Sequence, residues 1–333
     1  MSKCVGAADE LPSSAEEGRA AAAAEARVVL VNRIIRLTNT TPALRAAPPQ
    51  LRRGAIKLAA MFLAFCAGMA LAQGGQRLRI SMIPTTDPGK MLRDAQPLVD
   101  YLEKRTGTKI VMTVPTNYAA VVEAMANDQV DIAHFGGFTF VQISARAGAK
   151  PLVQREQDQK FHSLFITQPN SGINSLRDIS GYTFAFGDVN STSGHLMPEY
   201  FMREAKVNTQ VIETALYTGG HDATALAVAN KKVDAGAMDE NVFQTMMKGG
   251  KITDKQVRVF WTTPPFLDYV WAARKGLDPR ITESFANALL ELDAQKPEHK
   301  TILNFLSATK YVRAKDSDYT KLRQAAKDAG LLK

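Results

Sequence analysis

Residues 117–131 read Asn-Tyr-Ala-Ala-Val-Val-Glu-Ala-Met-Ala-Asn-Asp-Gln-Val-Asp, and residues 220–234 repeat this pattern as Gly-His-Asp-Ala-Thr-Ala-Leu-Ala-Val-Ala-Asn-Lys-Lys-Val-Asp. In both stretches an Ala-rich helix precedes a Val-Asp pair at the same spacing, so that Tyr118 matches His221. Two equivalent helix–strand units predict two similar α/β lobes; the alternative is a chance likeness between Ala-rich helices. Ligands of α/β sheets bind beyond the carboxyl ends of the strands, so we expect Tyr118 and His221 at the edge of a cleft.

Short apolar runs alternate with helical patterns on both sides of this repeat. Such alternation is typical of βαβ units, in which helices cover parallel strands. Strands are predicted at residues 78–83, 110–114, 130–135, 163–167, 183–186, 211–217, 233–237 and 257–262. The last stretch, 279–332, has no strand pattern and is predicted to form packing helices.

The composition excludes several classes of protein. Of the 333 residues, 45% are hydrophobic and 22% are charged, which is typical of a globular chain. Residues 73–333 contain 32 basic and 28 acidic residues without basic blocks, so nucleic-acid binding is not expected. Both cysteines, Cys4 and Cys66, precede residue 73, which leaves the rest of the chain without disulfides, thiolate metal sites or cysteine catalysis.

Residues 51–72 have the order of a secretory signal peptide. Basic residues precede an uncharged apolar stretch at 58–71, which ends in the small-x-small cleavage pattern Ala70-Leu71-Ala72. The stretch is short for a transmembrane helix, and the bulky residue before Cys66 disfavours a lipoprotein site. The sequence therefore predicts export to the periplasm with cleavage after Ala72, and residues 1–50 are interpreted as a non-native or disordered extension.

A cluster of three hydroxyls, Ser191, Thr192 and Ser193, precedes a predicted helix. Pro198 fits only near a helix start, so the cluster lies at the helix N-terminus. Free backbone N–H groups at that end attract an anion, and the hydroxyls add further donors. The alternative is a plain N-cap, for which one hydroxyl suffices.

The second repeat begins with another candidate binding element. Gly220 allows close approach to the backbone, His221 can donate a hydrogen bond, and ionised Asp222 can only accept one. Asp239 follows the strand predicted at 233–237. Both carboxylates have a structural alternative, since Asp222 could cap its own helix and Asp239 could lie at a solvated helix start.

The strand predicted at 130–135 runs into the turn Gly136-Gly137-Phe138-Thr139. The glycines permit close approach of a ligand, so Gly137, Phe138 and Thr139 are candidate contacts, with core packing as the alternative. The five histidines lack metal-site spacing, and the serines lack a Gly-x-Ser-x-Gly elbow. No metal, cofactor or catalytic role is therefore expected.

Three motifs together resemble a known family. They are residues 130–137 (Val-Asp-Ile-Ala-His-Phe-Gly-Gly), residues 191–198 (Ser-Thr-Ser-Gly-His-Leu-Met-Pro) and residues 220–223 (Gly-His-Asp-Ala). They are similar to the periplasmic phosphate/phosphite/phosphonate-binding proteins of ABC transporters, and the resemblance covers about residues 75–330. Within that family the chain resembles the branch labelled as selenate transporter binding proteins.

The resemblance implies a type II periplasmic binding fold, in which two α/β lobes joined by two hinge crossovers close over an oxyanion. Lobe one would comprise residues 73–166 and 263–333, and lobe two residues 167–262, with crossovers near 165–168 and 260–264. The resemblance assigns ligand binding to Tyr118, Ser191, Thr192, Ser193, His221, Asp222 and Asp239. It also implies a monomer that delivers a small oxyanion to a membrane permease.

The carboxylates bear on which anion binds. Phosphite and phosphonates can carry a proton near neutral pH, which ionised Asp222 or Asp239 could accept. Selenate is fully deprotonated, so a buried carboxylate would repel it. We therefore expect a phosphite- or phosphonate-type ligand for an ABC importer; a selenate-like ligand and a role as a periplasmic sensor for a membrane kinase stay open as alternatives.

Overall fold

The computed structural model describes residues 77–332, which belong to one compact unit, Gly75–Lys333. The predicted extension, the signal peptide and its cleavage site lie outside the described residues. Within 77–332 no helix combines the length and the apolar character needed to cross a membrane.

Two mixed sheets form the scaffold. The first has the spatial order β11-β4-β10-β3-β1-β2 and the second the order β7-β6-β8-β5-β9. The strands are β1 Leu78–Met82, β2 Ile110–Thr113, β3 Ile132–Phe135, β4 Lys150–Arg155, β5 Ser163–Thr167, β6 Phe184–Phe186, β7 Leu216–Tyr217, β8 Ala235–Asp239, β9 Arg258–Thr262, β10 Val270–Ala273 and β11 Tyr311–Arg313. The α-helices are Pro88–Asp94, Gln96–Thr106, Tyr118–Ala126, Gly137–Ala147, Met197–Glu204, Thr209–Glu213, His221–Ala229, Glu240–Lys248, Pro279–Leu290, Pro297–Phe305 and Thr320–Asp328.

We call the first sheet with its helices lobe one and the second with its helices lobe two, and this architecture confirms the predicted fold class. Strands β1–β3 and β6–β8 include the expected parallel pairs. The strands beside the two crossovers, β4, β5, β9 and β10, run antiparallel to their neighbours. All of β5 pairs within the second sheet, so the predicted boundary between residues 166 and 167 falls inside a strand.

Both faces of each sheet are covered, as the alternation of side chains shows. In β10, Val270 and Ala272 pack into one core of lobe one, whereas Trp271 and Ala273 pack into the core on the opposite face. Successive side chains of a strand point to opposite faces, so a strand buried on both sides reads as a continuous apolar run.

The elements near residue 211 and the strand at 311 differ from prediction. Residues 211–217 were expected to form a strand, but Asn208 accepts a hydrogen bond from the backbone N–H of Gln210 and starts the helix Thr209–Glu213, which leaves only β7 as a strand. Strand β11 lies in the stretch predicted to be wholly helical. Its three residues pair with the edge of β4, a partner that local pattern does not reveal.

The repeat is visible in the backbone. Asp128 and Lys231 occupy matching positions and both have positive φ, 54° and 57°. Each repeat ends in an aspartate that binds the backbone near the start of a neighbouring strand: Asp131 accepts from Arg79 N in β1 at 2.9 Å, and Asp234 accepts from Thr183 N, just before β6, at 2.8 Å. The two stretches are thus the same helix–turn–strand unit in each lobe.

Replacing Asp131 with Asn is expected to lower the free energy of unfolding by about 2 kcal/mol at pH 7. Burial alone would raise the pKa of Asp131, but hydrogen bonds from Arg79 and Arg274 outweigh it and lower the pKa to about 2. A depressed carboxyl pKa stabilises the fold above the unfolded value of 3.8 and loses that effect as the pH falls towards 2.

Urea unfolding at pH 7 and pH 3 measures this effect, and the matched control is Asp234→Asn, because Asp234 accepts only from the backbone and hydroxyl of Thr183. The control should cost less at pH 7. An equal loss in both variants, or a difference from wild type that does not shrink at pH 3, would contradict this account of Asp131.

Candidate functional site

Four helical segments direct their N-termini at the gap between the lobes. The helices that begin at Tyr118 and Gly137 come from lobe one, and the segments that begin at Thr192 and His221 come from lobe two. The lobes touch here: Phe138 N donates to Thr192 Oγ1 at 3.0 Å, and Tyr118 Oη lies 3.4 Å from His221 Nε2. The positive ends of helix dipoles therefore converge on one place, an arrangement that favours binding of an anion.

The hydroxyl cluster lies in a buried turn, and one of its three hydroxyls lacks a hydrogen-bond partner among the described residues. Ser191 Oγ accepts from Gly194 N at 3.0 Å, and residues Thr192–Leu196 form a single π-helical turn. Ser193 Oγ is buried without a hydrogen-bond partner among residues 77–332. A buried hydroxyl that lacks a partner is costly, which marks Ser193 as a donor available to a ligand.

The hydrogen bonds of His221 fix its tautomer. Its ring is fully buried, and Nδ1 lies 3.2 Å from Asp239 N, a backbone group that can only donate. Nδ1 is therefore an acceptor, and Nε2 carries the proton of the neutral ring. Burial lowers the pKa of His221, opposed by the charges of Asp239, Asp222 and Asp188, so the ring is neutral and directs its Nε2–H towards Tyr118 Oη, 3.4 Å away.

Asp268, which the sequence analysis did not select, brings a carboxyl group to the same place. Its Oδ1 accepts from Gly137 N at 2.9 Å, and its Oδ2 is buried without a partner among the described residues. Burial raises the pKa of Asp268 to about 7, although hydrogen bonds with Gly137 and Thr192 favour the ionised form. The group can therefore hold or share a proton near neutral pH.

Asp239 is a buried structural link rather than a free acceptor. Its Oδ1 accepts from Val242 N at 2.8 Å and so caps the helix Glu240–Lys248, and its Oδ2 accepts from Tyr269 Oη at 2.7 Å. The ring of Tyr269 stacks on His134 at 5.2 Å and lies against the guanidinium of Arg155. Both oxygens of Asp239 are thus engaged, although the residue remains beside His221.

Three further residues predicted from the sequence as ligand contacts, Phe138, Thr139 and Asp222, direct their side chains to the protein itself. The Phe138 ring lies in the core of lobe one, so its contribution at the cleft is its backbone N–H. Thr139 is buried and donates to Gly136 O at 3.0 Å, a contact within its own turn. Asp222 is half-buried, and its Oδ1 accepts from Ala223 N at 2.9 Å at the start of its own helix.

A cleft of about 350 Å³ adjoins these groups. Its walls come from both lobes and include Thr85, Met91, Asp222, Asp239, Asn241 and Tyr269. Asp239 and Tyr269 belong both to this cleft and to the hydrogen-bonded cluster around His221. The arrangement provides buried donors with one proton-holding carboxyl, next to space enclosed by the two lobes.

Asp268 and Tyr269 are absent from the site predicted from the sequence because strand β10, which positions them, was not predicted. They immediately precede β10, a four-residue strand. Had β10 been recognised after the predicted crossover, the Asp-Tyr pair at its start would have stood out as polar groups next to a buried strand.

Two lobes built on separate sheets, with donors from both converging on an interlobe site, define a two-lobe ligand-binding protein. Residues 80–319 match the family described as ABC transporter, phosphonate, periplasmic substrate-binding protein. The chain belongs to this family.

Relatives agree with that assignment. The chain is 30% identical over 260 residues to the probable ABC transporter phosphite-binding protein PhnD1 of Prochlorococcus marinus, with 74% of this chain and 88% of the relative covered. It is 27% identical to the phosphonates-binding periplasmic protein of Escherichia coli, with 75% of each covered.

The structure of PhnD1 from Prochlorococcus marinus in complex with methylphosphonate superposes with a TM-score of 0.73 at 28% identity, covering 77% of this chain and 99% of that one. A binding protein of a phosphonate transporter from Pseudomonas aeruginosa gives a TM-score of 0.69 at 25% identity, covering 75% and 85%. The predicted family is confirmed, and these relatives are binding components of transporters rather than enzymes.

Proposed function

We propose that this chain captures a phosphonate- or phosphite-type anion in the cleft between its lobes and delivers it to the permease of an ABC importer. The observation that carries the proposal is the buried Asp268 carboxyl, with an unpartnered oxygen, beside buried donors. A purely donor-lined site would suit any oxyanion. A carboxyl that shares a proton selects an anion able to take part in that sharing.

The donors divide between the lobes. From lobe two, Ser193 Oγ and His221 Nε2–H would bind unprotonated oxygens, while Tyr118 from lobe one would add its hydroxyl. Ser191 and Thr192 would shape the turn, since both accept a backbone N–H. Binding to both lobes at once would favour their closed arrangement.

The sequence predicts that Asp222 or Asp239 recognises a proton on the ligand. In this proposal Asp268 has that role instead. A protonated Asp268 can donate to an ionised phosphonate oxygen, and an ionised one can accept from a P–OH group. Fully deprotonated sulfate and selenate offer no proton, so at pH 8 they would face an ionised, buried carboxylate. The proposal thus disfavours selenate as the natural ligand.

The backbone N–H groups of Gly137 and Phe138 would hold Asp268 Oδ1 and Thr192 Oγ1 in position at the proposed site. Thr139, Asp222 and Asp239 would support the shape of the cleft. Such a site would bind its anion through the placement of its own hydrogen-bonding groups, so no cofactor is proposed. The relatives bear transporter names, and no observation on residues 77–332 favours the alternative of a sensor.

A thermal-shift series tests the proposed function. Methylphosphonate, phosphite, phosphate, sulfate and selenate at equal concentrations should raise Tm in proportion to the logarithm of their affinity. Methylphosphonate, phosphite and phosphate, which can share a proton with Asp268, should give larger shifts at pH 8 than sulfate and selenate. Shifts that are equal for all five anions, or absent for all, would reject the proposal.

Replacing Gly194 with Ala is expected to weaken binding of every oxyanion by about 5- to 150-fold, because overpacking of this kind costs about 1–3 kcal/mol and distorts the turn that carries the donors. A Cβ at this position would lie 2.9 Å from His221 Cε1 and 2.9 Å from Ser191 Oγ. Gly89→Ala is the matched control, since its nearest contact would be an ordinary 3.4 Å. Calorimetry that finds unchanged affinity in folded Gly194→Ala would contradict this role of the turn.

We further propose a periplasmic monomer that begins at Gln73 after signal cleavage. The apolar stretch and the Ala70-Leu71-Ala72 pattern support this processing site. Intact-mass measurement of the exported protein tests it; retained residues before Gln73 would contradict it.

A further inference from the structure

We propose that Asp188 is a positioning residue that stabilises the closed arrangement of the lobes by capping a helix of the opposite lobe. This inference rests on the proposed function, because lobe closure affects activity only when a ligand binds between the lobes. It concerns a carboxylate that neither the sequence motifs nor the anion donors include.

The geometry joins Asp188 to the first residue of the lobe-one repeat helix. Asp188 follows β6 in lobe two and is 6% exposed. Its Oδ2 accepts from Tyr118 N at 3.3 Å, across the gap between the lobes. The N-cap Asn117 binds Ala120 N at 2.9 Å and so leaves the N–H of Tyr118 for another acceptor. Such first-turn N–H groups lack a partner within the helix, and a carboxylate is favourable there.

The other repeat is capped in the reverse direction. His221, which matches Tyr118 in the repeat, donates its backbone N–H to Thr85 O of lobe one at 3.1 Å. Gly220 before it has no side chain to serve as a cap. Equivalent N–H groups in the two lobes are therefore each satisfied by an acceptor from the other lobe, and separating the lobes breaks both bonds.

Asp188 also organises its own turn. Its Oδ1 accepts from Asn190 N at 2.7 Å, and Asn190 Oδ1 accepts from Gln142 Nε2 of lobe one at 3.0 Å. The carboxylate thus holds one bond within lobe two and one between the lobes. Its two oxygens have separate tasks, which allows the tasks to be tested apart.

The charge of Asp188 and its role in lobe closure predict opposite changes in anion affinity when the carboxylate is removed. A carboxylate close to an anion site repels the anion, so removal of its charge alone would strengthen binding. If Asp188 instead maintains closure, its loss lowers the fraction of the binding-competent form and weakens every ligand by the same factor. The sign of the change in affinity separates the two effects.

Asp188→Asn is the decisive variant. Asn has one acceptor oxygen, which the neighbouring Asn190 N–H retains within the turn, while its NH₂ then faces the N–H of Tyr118 and cannot accept from it. We expect affinity for methylphosphonate and for sulfate to fall together, by about three- to tenfold, as for loss of one helix cap. Small-angle scattering of the ligand-free variant should show a larger radius of gyration than that of the wild type.

The matched control is Asp178→Asn. Asp178 also accepts backbone N–H groups in lobe two, from Asn174 and Ser175, but makes no contact with lobe one among its hydrogen bonds. It should change neither affinity nor compactness. Tighter binding by Asp188→Asn, unequal changes for the two anions, or an unchanged radius of gyration would overturn the proposal. The scattering comparison needs no ligand, so it stands even if the proposed function fails.

Discussion

Asp268→Asn should reverse the anion preference of the cleft. Binding of methylphosphonate is expected to weaken by about 10- to 100-fold, the effect of losing one charge-assisted hydrogen bond in a buried site. Binding of sulfate and selenate should strengthen at pH 8, because an amide can turn its NH₂ towards an oxygen that carries no proton. Calorimetry with the three anions measures both changes.

The same variant should be more stable than the wild type at high pH. Burial raises the pKa of Asp268 to about 7 from an unfolded value of 3.8, so the folded protein loses stability as the pH rises through that interval. Asn removes this dependence. Its Tm should exceed that of the wild type at pH 8, and the advantage should shrink by pH 5.

Asp222→Asn is the matched control for Asp268→Asn. Asp222 is half-buried and binds its own helix start, so its amide variant should leave the order of anion affinities unchanged. If Asp222→Asn reverses the preference and Asp268→Asn does not, the carboxylate chosen from the sequence was the correct one and the assignment to Asp268 is wrong.

The second large effect is expected at His221. His221→Ala should weaken all oxyanions alike, by roughly 10- to 150-fold, because it removes a donor to a charged oxygen. It also leaves Asp239 N, which lies 3.2 Å from Nδ1, without its acceptor. Calorimetry with methylphosphonate and sulfate gives the two ratios.

His221→Gln separates the donor from the ring, since an amide can still donate to the anion. It should recover part of the affinity lost in His221→Ala. Because burial lowers the pKa of His221, the ring remains neutral above its usual titration range, and its contribution should not change between pH 7 and pH 8. A contribution that falls across that interval would indicate a charged imidazolium instead.

The fold could be predicted from the sequence because its repeat is local. The helix that starts at Tyr118 and the helix that starts at His221 carry the same spacing to Val-Asp, and both appear in the structure with matching positive-φ residues. Strands β4, β10 and β11 could not be placed in this way. Strands β10 and β11 are short, and all three join the first sheet through antiparallel pairing with residues distant in the chain.

The residues of the candidate site also differ in whether a local sequence pattern predicts them. Ser191–Ser193 and His221 follow directly from helix starts, and the structure brings Thr192 to Phe138 N and His221 to Tyr118. Asp268 depends on a crossover that returns the chain from lobe two, and Asp188 depends on contact between lobes. Neither contact has a local sequence signature, because Asp268 is 131 residues away from Gly137 in the chain and Asp188 reaches Tyr118 only when the two lobes pack together.

Direct calorimetry of the wild-type chain with methylphosphonate and with selenate at pH 8 tests the central claim. The account predicts that methylphosphonate binds at least about tenfold more tightly, since selenate brings no proton and binds only after Asp268 is protonated, which costs about 1.4 kcal/mol at pH 8 for a pKa of about 7. Selenate that binds as tightly as methylphosphonate, or more tightly, would contradict a cleft that selects its anion through a proton shared with Asp268.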